Sequence, residues 1–375
     1  MAHVVILGGG FAGVVAAEKL AKQLGTEHQI TLLSRSNRFV FYPALVRLAF
    51  GSADVDDISF DLRETLLEKR VRFVTGEAAR VDPELKRVIV AHGEVQGDLN
   101  YDYLLIALGR RLATENITGF YEYAHHLLTT EDAKRFGEAV RNFKAGRAVI
   151  GQCAGARLPV PVYETAFALA RLFEGSRGEQ ARKITIVSPD PPGFQFGDGD
   201  FALALRNALE THEIEYLPDF RVESISPGAV MAADGLSLNY GLLMLLPPFR
   251  GPSAVQGLGI TDAEGYINVD RTMRVQGAER IYAAGDCVNF EGPKLGHMAV
   301  HQAEVAGENL AAEILGKSPG AQYDHEMMMV IDEGGGETIF LQKALWGDKP
   351  SQVKQGLFWS WAKRIHDKYW QYRHS

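Results

Sequence analysis

Val4-Val5-Ile6-Leu7-Gly8-Gly9-Gly10-Phe11-Ala12-Gly13, running on through Val14 to Leu20, is the stretch whose reading decides the fold. Four consecutive aliphatic residues predict a buried parallel strand. Gly8, Gly10 and Gly13 make a G-x-G-x-x-G turn, with Phe11 and Ala12 inside it, and the small and apolar residues that follow predict a helix. The first glycine permits the tight turn, the second lets a pyrophosphate approach the backbone, and the third lets helix and strand lie close. The phosphates of a dinucleotide would rest at the helix N-terminus, where unpaired N–H groups favour anions. Gln29 to Leu33 supplies the next strand at the spacing of a βαβ unit, and this context lifts a common glycine pattern to a dinucleotide site.

The second strand departs from the rule. It should end in an acid that binds the adenosine ribose, but Ile30-Thr31-Leu32-Leu33 runs into Ser34 and Arg35. Arg35 permits NADP, and Ser34 permits FAD held through a hydroxyl. The rest of the chain decides for FAD.

The totals bound the possibilities. The chain has 375 residues, 46% of them hydrophobic and 23% charged, enough for two or three domains. A net charge of −8 counts against nucleic acid as the main partner. No basic leader with an apolar core precedes Val4, so secretion is not expected. No apolar run reaches the roughly 18 residues of a membrane span. Cys153 and Cys287 are the two cysteines, which fits a reducing cytoplasm and excludes a disulfide framework.

Further along, Asp61 to Lys69 predicts a helix, and Val71 to Val74 and Arg87 to Val90 predict short strands, the first leading into Gly76-Glu77-Ala78-Ala79. Tyr101 to Leu108 predicts a strand closing on Gly109, and a helix opened by Thr130 follows to Phe143. A second nucleotide-like unit begins with Ala148-Val149-Ile150-Gly151 and a helix from Tyr163 to Phe173. Ile281 to Asp286 is strand, turn and acid, and Met298 to Leu315 is a long helix. The fold class expected is α/β with two Rossmann-like units.

Three segments, the glycine turn, Leu104 to Gly109 and Ile281 to Asp286, together resemble the FAD-binding signatures of two-dinucleotide-fold flavoproteins, the pyridine nucleotide–disulfide oxidoreductase superfamily. The resemblance implies an FAD domain over residues 1–110 and 252–317, interrupted by a second, NAD-like domain over residues 111–251. It implies that Gly8, Gly10 and Gly13 hold the pyrophosphate and that the backbone at Ala79 meets adenine. Ala107, Leu108 and Gly109 would line the cofactor, with Pro43 of the aromatic loop Phe39-Val40-Phe41-Tyr42-Pro43-Ala44-Leu45 nearby. Gly285 would carry Asp286 to the ribityl chain. The FAD would be non-covalent, since no cysteine lies in the loop around Pro43. No metal ligand set is expected.

The branch follows from what is missing. Neither Cys-x-x-Cys nor Cys-x4-Cys occurs, so dithiol–disulfide chemistry is excluded. The second glycine turn is Gly151-Gln152-Cys153-Ala154-Gly155-Ala156-Arg157, with Pro159 and Pro161 where a phosphate-binding helix should begin; this disfavours an NADH site. The segment instead resembles the sulfide:quinone oxidoreductase branch, near the type II NADH dehydrogenases, in Pro161-Val162-Tyr163-Glu164, in Pro247-Pro248-Phe249-Arg250-Gly251 and in Pro293-Lys294-Leu295-Gly296-His297-Met298. Sulfide oxidation in that branch uses cysteines beside the flavin. Arg157-Leu158 and Met329-Val330 occupy the positions expected for them. Cys153 is the remaining candidate thiol, and a buried small residue is its alternative reading. The resemblance sets Lys294, with Gly296, against the pyrimidine edge of the flavin, where a cation and a helix N-terminus stabilise added negative charge.

At the C-terminus, Phe358, Trp361, Ala362, Ile365, Tyr369 and Tyr372 recur at helical spacing, with Trp359 and Trp370 flanking them. Lys354, Lys363, Arg364, Lys368 and Arg373 face one acid, Asp367, in a chain that is otherwise acidic. A basic aromatic helix of this kind lies in a membrane interface; a dimerisation or docking helix is the other reading. Residues 318–375 are therefore expected to form a membrane and quinone region, with 356–373 on the membrane surface. The whole reads as an FAD-dependent enzyme, peripheral on the cytoplasmic face of the cell membrane. It would pass electrons from sulfide or NAD(P)H to quinone, with a homodimer possible. Phe41, Pro43, Tyr323 and Phe340 are candidates for the quinone path. An electron-transfer subunit that binds a protein partner through its tail is the alternative of another class.

Overall fold

The computed structural model describes residues 1–174 and 182–357. In chain order the elements that position the site are β1 (His3–Leu7), α1 (Phe11–Leu24), β2 (Gln29–Ser34), α2 (Leu62–Glu68), β3 (Arg72–Asp82), β4 (Arg87–Gly93), β5 (Gly97–Asn100) and β6 (Tyr103–Ile106). Then come α3 (Thr130–Asn142), β7 (Gly146–Gln152), α4 (Val160–Glu174), β8 (Arg182–Val187), α5 (Gly199–Thr211), β9 (Glu215–Leu217), β10 (Leu242–Leu246), β11 (Ile281–Ala283) and α6 (Gly296–Ile314). The described chain closes with β12 (Glu326–Gly334), β13 (Glu337–Ala344) and β14 (Gln352–Gln355).

The larger sheet runs β11-β6-β1-β2-β3-β4-β5. Its first five strands are parallel, and β4 and β5 add an antiparallel flap. Val4, Val5, Ile6 and Leu7 are wholly buried because both faces of β1 are covered, the condition that makes a parallel strand read as an unbroken apolar run. A second parallel sheet, β9-β8-β7-β10, is built entirely from residues between β6 and β11. The chain thus leaves the first sheet after Ile106 and returns to it at Ile281. The fold is α/β with two Rossmann-type sheets.

α1 and α6 lie against each other over small residues. A Cβ on Gly307 would come within 3.2 Å of Lys19 Cβ, and Lys19 Nζ meets Glu308 at 2.9 Å. Asp61 caps α2 by accepting from the N–H groups of Arg63 and Glu64, which is why that helix was legible to within a residue.

Four expectations need correction. β3 does not stop at Val74 but runs through Gly76 to Asp82. There the glycine serves close strand approach, since a Cβ would meet Val90 at 2.8 Å. The aromatic loop after Phe39 contains a 3-10 turn, Tyr42–Ala44, and a short helix, Leu45–Ala49. Thr129, not Thr130, caps α3, its hydroxyl accepting from the N–H of Asp132. Residues 326–355 form a three-stranded antiparallel sheet, which the expectation of a membrane and quinone region over residues 318–375 did not contain. No helix among the described residues is long and apolar enough to cross a membrane. The tail from Phe358 to Arg373 lies outside the described residues.

Candidate cofactor and redox site

In an open parallel sheet, ligands bind at the switch point, outside the carboxyl ends of the strands where the chain order reverses. Here that point lies between β1 and β6, and three distant segments meet at it. Gly8 has φ +106°, and a Cβ there would lie 2.1 Å from Ala107 O. Only glycine permits both the angle and the approach. A Cβ on Gly13 would lie 1.8 Å from Gly8 O, so this glycine seats α1 on the turn. A Cβ on Gly285, at φ +85°, would meet Ala12 Cβ at 3.1 Å, and one on Gly296 would meet the Phe11 ring at 3.2 Å. The turn, Ala107-Leu108-Gly109, Gly285-Asp286 and the start of α6 are therefore one structure.

Gly10 differs from its neighbours, since a Cβ there would meet nothing within 4 Å. It is the N-cap of α1 and makes no side-chain cap bond, and Leu295 likewise leaves α6 without one. The first-turn N–H groups of both helices therefore receive no side chain from their N-cap residues, and both helix starts lie at one cradle. Ser34 stands beside the turn, its Oγ 2.8 Å from a Cβ placed on Gly9, whereas Arg35 and Pro43 are exposed. Ala79 falls at the register shift in the β3–β4 ladder, between Ala78 paired with Val90 and Arg80 paired with Ile89. It is the extra residue of a bulge, and the ladder passes over its backbone groups.

The acid and the cations form one group. Asp286 Oδ2 accepts a hydrogen bond from Arg110 Nη1, an ion pair, and the Arg110 guanidinium lies 4.2 Å above the Phe249 ring. Lys294 is 7% exposed. Its Nζ donates to Val288 O at 2.5 Å and sits 4.6 Å from the Tyr266 ring centre. Burial first, and then the nearby Arg157 charge, holds this amine well below the usual lysine range. Arg157 clasps the loop before Lys294. Its Nε and Nη2 donate to Gly292 O at 2.9 and 2.7 Å, its Nη2 also donates to Phe290 O, and its own carbonyl accepts from the Lys294 N–H at 2.7 Å.

The same lysine carries a pH prediction. The unfolded chain protonates Lys294 below about pH 10.4, while the folded chain resists it to a lower pH. The native state therefore loses stability as pH falls from about 10.4 toward the folded value. Lys294→Met removes this slope. Chemical denaturation of the flavin-free proteins is expected to show the variant gaining on the wild type as pH drops from 10 to 7, by no more than about 1.4 kcal/mol per pH unit. Parallel pH curves would refute it.

Neither thiol is reachable. Cys153 is wholly buried, packed among Val149, Val187 and Leu243 in a core distinct from the one under the glycine turn. Burial pushes its pKa up to about 12. Cys287 is also wholly buried, donates to Ile106 O and Ala284 O at 3.3 Å, and is pushed up to about 11. A thiol held protonated is a poor nucleophile. In the second sheet, α4 begins at Val160 with Pro161 in its first turn. A proline brings no N–H to the helix start where a phosphate would need donors.

Sequence reasoning missed Arg110, although it follows Gly109 directly. It read Arg157 only as the occupant of a thiol position, and nothing in the local sequence marked Tyr266. Of the suggested quinone-path residues, Phe41, Tyr323 and Phe340 are buried and Pro43 is exposed.

A glycine cradle at the switch point, two helix starts whose N-cap residues supply no side-chain cap, and a buried lysine flanked by the half-buried Arg110 and Arg157 define a flavoprotein oxidoreductase of the two-dinucleotide fold. The chain belongs to the pyridine nucleotide-disulphide oxidoreductase family, whose profile matches residues 2–303, and it is an FAD-dependent oxidoreductase. Relatives include the sulfide-quinone reductase of Aquifex aeolicus, 29% identical over 76% of this chain and 67% of that protein. The type II NADH:quinone oxidoreductase of Staphylococcus aureus is 23% identical over 84% of this chain and 83% of that protein. The crystal structure of sulfide:quinone oxidoreductase from Aquifex aeolicus superimposes with a TM-score of 0.92 at 23% identity, covering all of this chain and 91% of that one.

The residues present fit FAD. Gly10 leaves the open approach a pyrophosphate needs, and Arg110 Nε is buried with no hydrogen-bond partner among the described residues, a donor that a bound acceptor would satisfy. Bound there, FAD supplies two-electron redox chemistry between a donor and an acceptor that need not meet.

Proposed function

We propose that the chain is a peripheral quinone reductase, taking electrons from a small reductant into FAD and delivering them to a quinone on the cytoplasmic face of the membrane. The observation that carries the reading is the convergence of Gly8–Gly13, Ala107–Gly109, Gly285–Asp286 and Lys294–Gly296 on one cradle. In this reading Gly8, Gly10, Phe11, Ala12 and Gly13 hold the pyrophosphate, Ser34 and the Ala79 backbone hold the adenosine half, and Asp286 with Arg110 holds the ribityl side. Lys294 keeps a buried amine against the redox end, and Arg157 holds the loop that carries it. Residues 1–110 and 252–317 form the FAD domain, 111–251 the second domain and 318–375 the membrane and quinone region.

The relatives' names offer two donors, sulfide and NAD(P)H. Cys153 is not a relay in either case, because a polysulfide relay needs a reachable thiolate and a partner thiol, and Leu158 and Val330 supply none. Anaerobic stopped-flow bleaching of the flavin with sulfide, NADH and NADPH in turn identifies the donor. A second mixing with a short-chain quinone then tests the acceptor. Cys153→Ser is expected to leave reduction by the active donor within about tenfold, about 1.4 kcal/mol in the barrier. Flavin that no quinone reoxidises would overturn the proposal and favour an electron-transfer subunit with a protein partner.

A further inference from the structure

The end of α4, the end of α5 and the β12–β13 hairpin converge far along the chain from the glycine cradle. His212, directly after α5, has a side chain only 3% exposed, packed edge-on against Phe167 at 5.2 Å. Its Nδ1 faces Glu174 Oε1 at 3.8 Å. Its Nε2 faces Glu333 Oε2 at 3.8 Å and is buried with no hydrogen-bond partner among the described residues. Glu337 completes the group, the three ligand atoms lying within 4.8 Å of one another. Gly334, Gly335 and Gly336, all at positive φ, turn the hairpin so that Glu333 and Glu337 face the same side.

We propose that His212 Nε2, Glu333 and Glu337 form a site for a first-row divalent cation of the zinc class, which clips the hairpin onto the second nucleotide-fold unit. A separation of 3.8 Å is too long for a hydrogen bond. It suits two ligands of one ion, since bonds of about 2.0–2.1 Å at tetrahedral angles set ligand atoms about 3.3 Å apart. One imidazole with two carboxylates is a donor set that zinc accepts, with water in the remaining position. Glu174 stands where a carboxylate would take the Nδ1 proton, which orients the ring and leaves the Nε2 lone pair for the ion. Charge agrees. Arg171 contacts Glu174 at 3.5 Å and Glu337 at 2.5 Å, and one guanidinium against the carboxylates of Glu174, Glu333 and Glu337 leaves two negative charges for a neutral ring.

The test uses the full flavin-loaded chain in a His301→Ala background, which removes the His297–His301 pair, whose rings lie 6.0 Å apart, as a second zinc site. After chelator treatment, zinc is titrated by calorimetry and bound metal is counted by mass spectrometry. One zinc per chain is expected, with slower hydrogen exchange over residues 326–344. His212→Asn and Glu333→Gln should abolish both effects, and Glu174→Gln should weaken binding about 10–100-fold. Glu337→Gln alters a side chain 63% exposed, so its fold is safe, and it too should weaken binding. Absence of zinc from the parent protein, or unchanged affinity in Glu337→Gln, would overturn the site.

Discussion

Gly10→Val is expected to yield a folded, colourless protein. A Cβ at Gly10 meets no protein atom within 4 Å, so a valine there disturbs neither β1 nor α1. It fills the space the pyrophosphate needs and covers the N–H groups at the helix start. FAD affinity should fall by at least about a thousandfold, about 4 kcal/mol, with little change in the thermal transition of the flavin-free protein. Gly13→Val is the contrast. Its Cβ would overlap Gly8 O at 1.8 Å, so the turn must open, and this variant should lose stability as well as flavin. Equal flavin content in Gly10→Val and wild type, read from absorbance after gel filtration, would remove the glycine turn from the cofactor site.

Truncation after Leu357 is expected to release the protein from membranes and to cut reduction of a long-tailed quinone in liposomes sharply. FAD and reduction of a water-soluble acceptor should survive, since the glycine cradle lies wholly before residue 300. Phe358, Trp361, Ile365 and Tyr369 would each contribute roughly 1.5–3 kcal/mol if buried in an interface. The basic residues would add roughly 1 kcal/mol apiece near anionic lipid, a part that salt weakens. The fold moves the cut from Gly356 to Leu357. The Gly356 N–H donates to Thr338 O, and its carbonyl accepts from the Thr338 hydroxyl at 2.6 Å, so Gly356 belongs to the sheet that ends in β14. A truncated protein that still floats with liposomes would assign membrane binding to another surface.

Taken alone, the chain determined that β1, the glycine turn and α1 exist, because those elements are specified by contiguous residues. Apolar run, glycine spacing and helix-forming stretch are all local, and so was the Asp61 cap of α2. The absence of paired thiols was equally plain, since it is a matter of spacing. Helix and strand ends came within a few residues wherever a cap or an apolar period marked them.

The tertiary structure decided what depends on approach between distant segments. Whether the Cys153 thiol is exposed turned on its side chain entering a closed core between β7 and its neighbours, which no reading of its flanking residues contains. Arg110 acquired its role only when β11 brought Asp286 to it across 176 positions. Arg157 became a clasp only when the loop at Phe290–Gly292 came within its reach. The β12–β14 sheet escaped notice because its strands pair by register across a Gly-rich turn, and pairing energy lies between strands rather than within them. Local periodicity encodes which face of an element is buried; which charge ends beside which is set by the packing of segments more than a hundred residues apart.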